Sequence, residues 1–103
     1  MANEKFINEV EKVFNTGLEL IKKKNSDYAE NNDPFKNFKL SELVGVSPDR
    51  AILIRITDKL SRISTLLEKE ADVSSETIED TVLDLMNYTA ILLVYLNNKG
   101  IIN

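Results

Sequence analysis

Glu79–Asn98 reads EDTVLDLMNYTAILLVYLNN. At about 100° per residue its side chains sort as on a helix. Together with the preceding isoleucine, Ile78, Val82, Leu85, Met86, Leu92, Leu93 and Leu96 cover one broad face, and Asp80, Asp84 and Asn87 lie on the opposite one. Past Tyr88 the sorting stops, and Ala90 through Leu96 is apolar in every direction. A helix segment that is apolar all round is buried all round. This helix is therefore expected at the centre of the fold, where its stripe of Asp80, Asp84 and Asn87 is no ordinary wet face. Three other modest helices cannot easily wrap it within one short chain, so its end is expected to pack against a second subunit in a homo-oligomer.

Upstream, Ser47-Pro48-Asp49 is a helix start: a capping hydroxyl, proline at the first position, then an acid facing the dipole. The helix is expected to run to about Glu70, with a turn at Ala71–Val73 and Ser74 or Ser75 capping the last helix. Ile52, Ile56, Leu60, Ile63 and Leu67 form its apolar stripe and are expected in the core. Arg55, Asp58 and Arg62 group along one flank, with Lys59 nearer the apolar side. The first helix is read from Asn3 to about Lys24 on the spacing of Phe6, Val10, Val13, Phe14, Leu18 and Ile21. Gly17 inside it weakens the helix by about 1 kcal/mol relative to alanine, and a closely approaching helix is one reason to place it there.

Between these helices lies KNSDYAENNDPFKNF, Lys24–Phe38, polar except for Tyr28, Phe35, Phe38, Ala29 and a proline. Pro34 disfavours a helical residue before it and opens a short turn capped by Asp33. A second short helix is expected over Lys39–Val44, stopping at Gly45. The expected architecture is all-α: residues 1–103 as a single domain, a small bundle of three long helices plus one or two short helical turns.

The chain has 103 residues, with 43% apolar and 29% charged side chains, which is the composition of one folded domain. It has no cysteine and no histidine. That excludes disulfides, thiolate nucleophiles, zinc fingers and Ser-His-Asp chemistry, and any metal site must use carboxylates and favour magnesium. A net charge of −4 argues against a DNA or RNA polymer as partner, though a local basic cluster could hold a small anion. The N-terminus lacks the pattern of a signal peptide, and no apolar run approaches the roughly 20 residues that span a bilayer. An intracellular protein is expected.

Asp80 and Asp84, four apart, could share a divalent ion, or they could pair with Arg55, Lys59 or Arg62 in a salt-bridge network. Spacing alone leaves both open. Three blocks together, KNSDYAENNDPFKNF, RITDKLSRI and EDTVLDLMNY, resemble the phage-associated nucleotide modification associated domain family, usually grouped with the all-α, MazG-like nucleoside triphosphate pyrophosphatases. The likeness runs from about Lys24 to Tyr95. It implies a MazG-like all-helical fold, self-association, a nucleotide ligand and a cytoplasmic location in an infected or lysogenic bacterial host. MazG-like enzymes carry Glu-Glu-x-x-Glu on one helix and Glu-x-x-Asp on the next, and these carboxylates hold magnesium. Here the first block has only Asp58, and Asp80 to Asp84 spans four positions rather than three.

The resemblance thus makes Asp58, Asp80 and Asp84 the candidates for a reduced magnesium site. Arg55, Lys59 and Arg62 are the candidates for phosphate, and Tyr28, Asp33 and Asn37 for the base end. If active, the protein would be a metal-assisted nucleotide pyrophosphohydrolase. The alternatives are sequestration of a signalling nucleotide without turnover, or an interaction module of a nucleotide-modifying enzyme. Phe35 and Phe38 are expected to pin the connector to the core, while for Tyr28 packing and base stacking stand level. The Lys22–Lys24 run suits a helix C-terminus, though one of these lysines could reach a phosphate.

Overall fold

The computed structural model describes residues 2–27, 33–68 and 75–100. Among them every regular element is a helix: α1 (Ala2–Asp27), α2 (Lys36–Lys39), a 3-10 helix (Leu40–Val44), α3 (Pro48–Glu68) and α4 (Ser75–Asn98). The all-α expectation holds. Tyr28 and the turn expected at Ala71–Val73 lie outside the described residues. No described helix is long and apolar enough to cross a membrane. The antiparallel α3–α4 pair is the backbone of the fold, α1 packs on α4, and the α2 segment packs on α3.

The local starts and stops follow from named side chains. Asp33 caps the turn at Pro34: its Oδ1 accepts the Phe35 N–H at 3.0 Å, and its carbonyl accepts the Lys36 N–H at 3.2 Å. The other carboxylate oxygen meets Lys39 Nζ at 2.6 Å. The 3-10 helix stops at Gly45, whose φ of 80° is left-handed and open to glycine at little cost. At the start of α3 the capping differs in detail from expectation. The Ser47 hydroxyl donates to the Asp49 carboxylate rather than accepting from the helix, and that carboxylate accepts the Arg50 N–H at 2.8 Å. These two donors hold the Asp49 carboxyl below its ordinary range.

The core is small. Ile52 is fully buried, and Phe35 and Tyr95 are buried beside it. The Phe35 ring meets Tyr95 edge-on, with centroids 5.3 Å apart and planes at 76°, and Phe38 meets Tyr88 at 6.3 Å and 82°. Edge-to-face pairs of this kind add about 0.5–1.5 kcal/mol beyond the area they bury. The connector's phenylalanines therefore fasten it to α4, as expected.

Two expectations of burial are corrected. On α3 the apolar stripe is covered unevenly: Ile52 is buried and Ile56 and Ile63 partly so, but Leu60 and Leu67 are exposed. On α4 neither the polar stripe nor the apolar face is covered throughout: Asp80 is exposed, and Leu92 and Leu96 pack on the core. Asn87 is buried and Asp84 partly so, along with Thr81, Leu83 and Tyr95, while Val82 and Leu93 face outward. The reason is α1, which lies along the acidic stripe. Its Gly17 lets it approach so closely that a Cβ there would stand 2.9 Å from Asn87 Oδ1 and run into the Met86 methyl. The Asn87 Nδ2–H donates to the Gly17 carbonyl at 3.1 Å. The apolar tail of α4 is covered on one side only, with Tyr95 buried and Leu93 and Val94 half exposed.

Candidate functional site

The contact at Gly17 fixes how α1 runs past α4. Seven residues further along α1, two turns of helix, Lys24 comes level with Asp84, and its Nζ lies 3.5 Å from Asp84 Oδ1. From the other side α3 brings Lys59, whose Nζ lies 3.0 Å from Asp84 Oδ2. One carboxylate thus joins all three long helices. The Asp84 side chain is 25% exposed, Lys59 17% and Lys24 60%, so the junction opens towards solvent on the α1 side.

Two ammonium groups on one carboxylate leave a local excess of one positive charge. Arg55 lies one turn before Lys59 on α3, and Arg62 nearly one turn after it, on the same stripe. Both arginines are exposed, and no ion pair among the described residues takes up either guanidinium. Two lysines from two helices thus hold one carboxylate, and Arg55 and Arg62 flank Lys59 along α3 with Asp58 exposed between them. Lysine supplies point charges, and arginine a planar fork matched to phosphate oxygens.

The other sequence candidates are placed as follows. Asp58 and Asp80 are exposed. Among the described residues no three acidic side chains gather where they could hold a metal ion, and Asp84 is engaged by lysines. Within one chain the three aspartates do not fit a magnesium centre. Asp33 is engaged by the Phe35 N–H and Lys39. The Lys39 contact is the larger cause of its carboxyl lying below the ordinary range, and Lys39 is raised in return. Asn37 is exposed on α2. The structure adds Lys24 and Asn87. Lys24 carried a sequence signal, a lysine run leading into the connector. Asn87 was visible only as a member of the acidic stripe, and its role emerges from the Gly17 contact.

No curated protein and no solved structure matches the chain. A family model, nucleotide modification associated domain 1, matches residues 24–96, from the lysine at the Asp84 junction to the end of the α4 core. That match covers more than two thirds of the sequence, and the chain belongs to the nucleotide modification associated domain 1 family.

Proposed function

We propose that the protein binds a nucleotide or nucleotide-like phosphate compound, with the phosphates against Arg55, Lys59 and Arg62 of α3 and Lys24 of α1. The observation that carries this reading is the Asp84 carboxylate shared by Lys24 and Lys59. It holds two amines from different helices side by side and leaves them short of negative charge. A di- or triphosphate satisfies both amines and can reach the two free guanidiniums. The family's tie to nucleotide modification supports the ligand class. Asn37, with Tyr28 by its place in the sequence, supplies the base end, and Asp33 shapes the turn that carries Asn37.

Binding without turnover is favoured over hydrolysis by the same junction. A MazG-like pyrophosphohydrolase centre would require Asp58, Asp80 and Asp84 to gather on magnesium. Here Asp84 lies between two lysines. The reading is therefore sequestration of a nucleotide, in keeping with a phage protein acting in the cytoplasm of its host. The test is native mass spectrometry of protein taken straight from cells, in magnesium and in chelator, followed by incubation with a nucleotide panel and chromatography of the products. A retained nucleotide mass that survives chelator, with no product, is expected. Product formed only with magnesium would make it an enzyme. No bound mass and no turnover across the panel would make it an interaction module.

A further inference from the structure

The large apolar side chains in the first half of α1 stand open among the described residues. Phe6 is 62% exposed and Phe14 57%, and Ile7 and Val13 are comparably open. Gly17 marks the close approach to α4. Beside it, spanning the turns before and after Gly17, lies an apolar groove of about 400 Å³, walled by Phe14, Leu18 and Ile21 of α1 and by Met86, Ala90 and Leu93 of α4. A helix as short as this exposed half is not stable in water on its own propensity, and an amphipathic helix is held by packing of its apolar face.

The surface area gives the scale of what is missing. The chain exposes 8053 Å², whereas a folded monomer of 11.7 kDa is expected to expose roughly 5,900 Å². Its radius of gyration is 15.9 Å, against about 13 Å for a compact chain of this length. The excess area is more than twice the roughly 800 Å² that each partner contributes to a standard interface.

We infer that this groove is filled by α1 of a second copy, the two α1 helices packing antiparallel about a two-fold axis near Val13. Charge selects the occupant and its direction. The start of α1 carries Glu4, Glu9 and Glu11 against Lys5 and Lys12, and its end carries Lys22, Lys23 and Lys24 against Glu19, so the start is net acidic and the end net basic. Antiparallel pairing centred on Val13 sets the net acidic start of one helix against the net basic end of the other and opposes the two helix dipoles, whereas parallel pairing sets Lys22, Lys23 and Lys24 beside their own copies. A two-fold, self-complementary contact closes on itself and leaves no open apolar edge. The interface shares only Lys24 with the nucleotide reading, and its apolar contacts use none of Arg55, Lys59 or Arg62.

Sedimentation equilibrium and cross-linking of the full chain test this. The wild type is expected at twice the 11.7 kDa chain mass. Phe6→Glu is expected at the mass of one chain, with its helical circular dichroism unchanged, since Phe6 is exposed within its own chain. The protein has no cysteine, so single replacements are clean probes. Val13→Cys is expected to be joined into a covalent dimer by a short bis-maleimide, and Leu43→Cys, on the 3-10 helix, is not. A wild type at single-chain mass overturns the inference, as does a Phe6→Glu variant that stays at twice that mass. Efficient cross-linking through Leu43→Cys but not Val13→Cys also overturns it.

Discussion

The contact between Asn87 and Gly17 sets where α1 lies, and so where Lys24 lies, and Asn87→Asp tests it with almost no change of shape. The amide donates to the Gly17 carbonyl at 3.1 Å from a buried position. The aspartate carboxylate has no hydrogen to donate and places an oxygen against an oxygen. Losing the bond costs about 1 kcal/mol, and leaving a charged group buried without a donor adds roughly 1–3 kcal/mol. The expected loss at pH 7 is about 2–4 kcal/mol. Asn87→Ala, which removes the bond without burying a charge, is expected to cost about 1 kcal/mol. In urea unfolding followed by circular dichroism at one protein concentration, the aspartate variant should lower the midpoint by roughly 1–2 M.

The pH dependence has a definite sign. Burial against the Gly17 carbonyl raises the folded pKa of the new carboxyl above its unfolded value of about 3.9. The penalty is therefore full above the folded pKa and disappears as pH falls towards the unfolded one, because the protonated acid can donate to Gly17 again. The gap between variant and wild type should narrow steadily from pH 7 to pH 4. An Asn87→Asp protein no less stable than Asn87→Ala at pH 7, or a gap that does not change with pH, would refute the placement of α1.

Phe35→Ala removes one of the few buried rings and its edge contact with Tyr95, and should cost about 3–5 kcal/mol by thermal or urea unfolding; Phe35→Leu should cost clearly less. Asp84→Asn removes a partly exposed counterion and should change stability by no more than about 1 kcal/mol. It should also tighten nucleotide binding in chelator by several-fold, whereas a metal-binding role for Asp84 predicts weaker binding. Asp33 and Asp49 both have folded pKa values below the ordinary 3.8. Their contribution to stability is present above pH 3.8 and lost as pH falls through the depressed values, so Asp33→Asn should flatten part of the acid limb of a stability–pH curve.

The sequence carried the helices well where local chemistry decides them. Pro48 and Asp49 start α3, Gly45 stops the 3-10 helix, and Asp33 caps the Pro34 turn, each through bonds to near neighbours. It was less informative about which face is covered. Asp80, Asp84 and Asn87 form one polar stripe on a helical wheel, yet Asp80 is exposed while Asn87 is buried and Asp84 partly so, because Gly17 admits α1 at Asn87 and Lys24 and Lys59 pair with Asp84. That arrangement depends on residues roughly 60–70 positions apart along the chain. Leu60 and Leu67 were misread for a related reason. Periodicity identifies an apolar stripe but not how far a neighbouring element extends along it. The pairing of acids with Lys59 was one of two arrangements the spacing allowed, and the distance to Asp84 selects it.

Titration calorimetry of a nucleoside triphosphate panel in chelator tests the central claim most directly, run on the wild type and on Arg55→Ala/Arg62→Ala. Each charge-assisted hydrogen bond to phosphate is worth about 1.5–3 kcal/mol. The double variant should therefore bind at least 100-fold more weakly than the wild type while keeping its helical content and unfolding midpoint. Equal affinity of the two proteins for whichever nucleotide binds would contradict the assignment of phosphate to the α3 cations, and no heat from any nucleotide with the wild type would contradict nucleotide binding altogether.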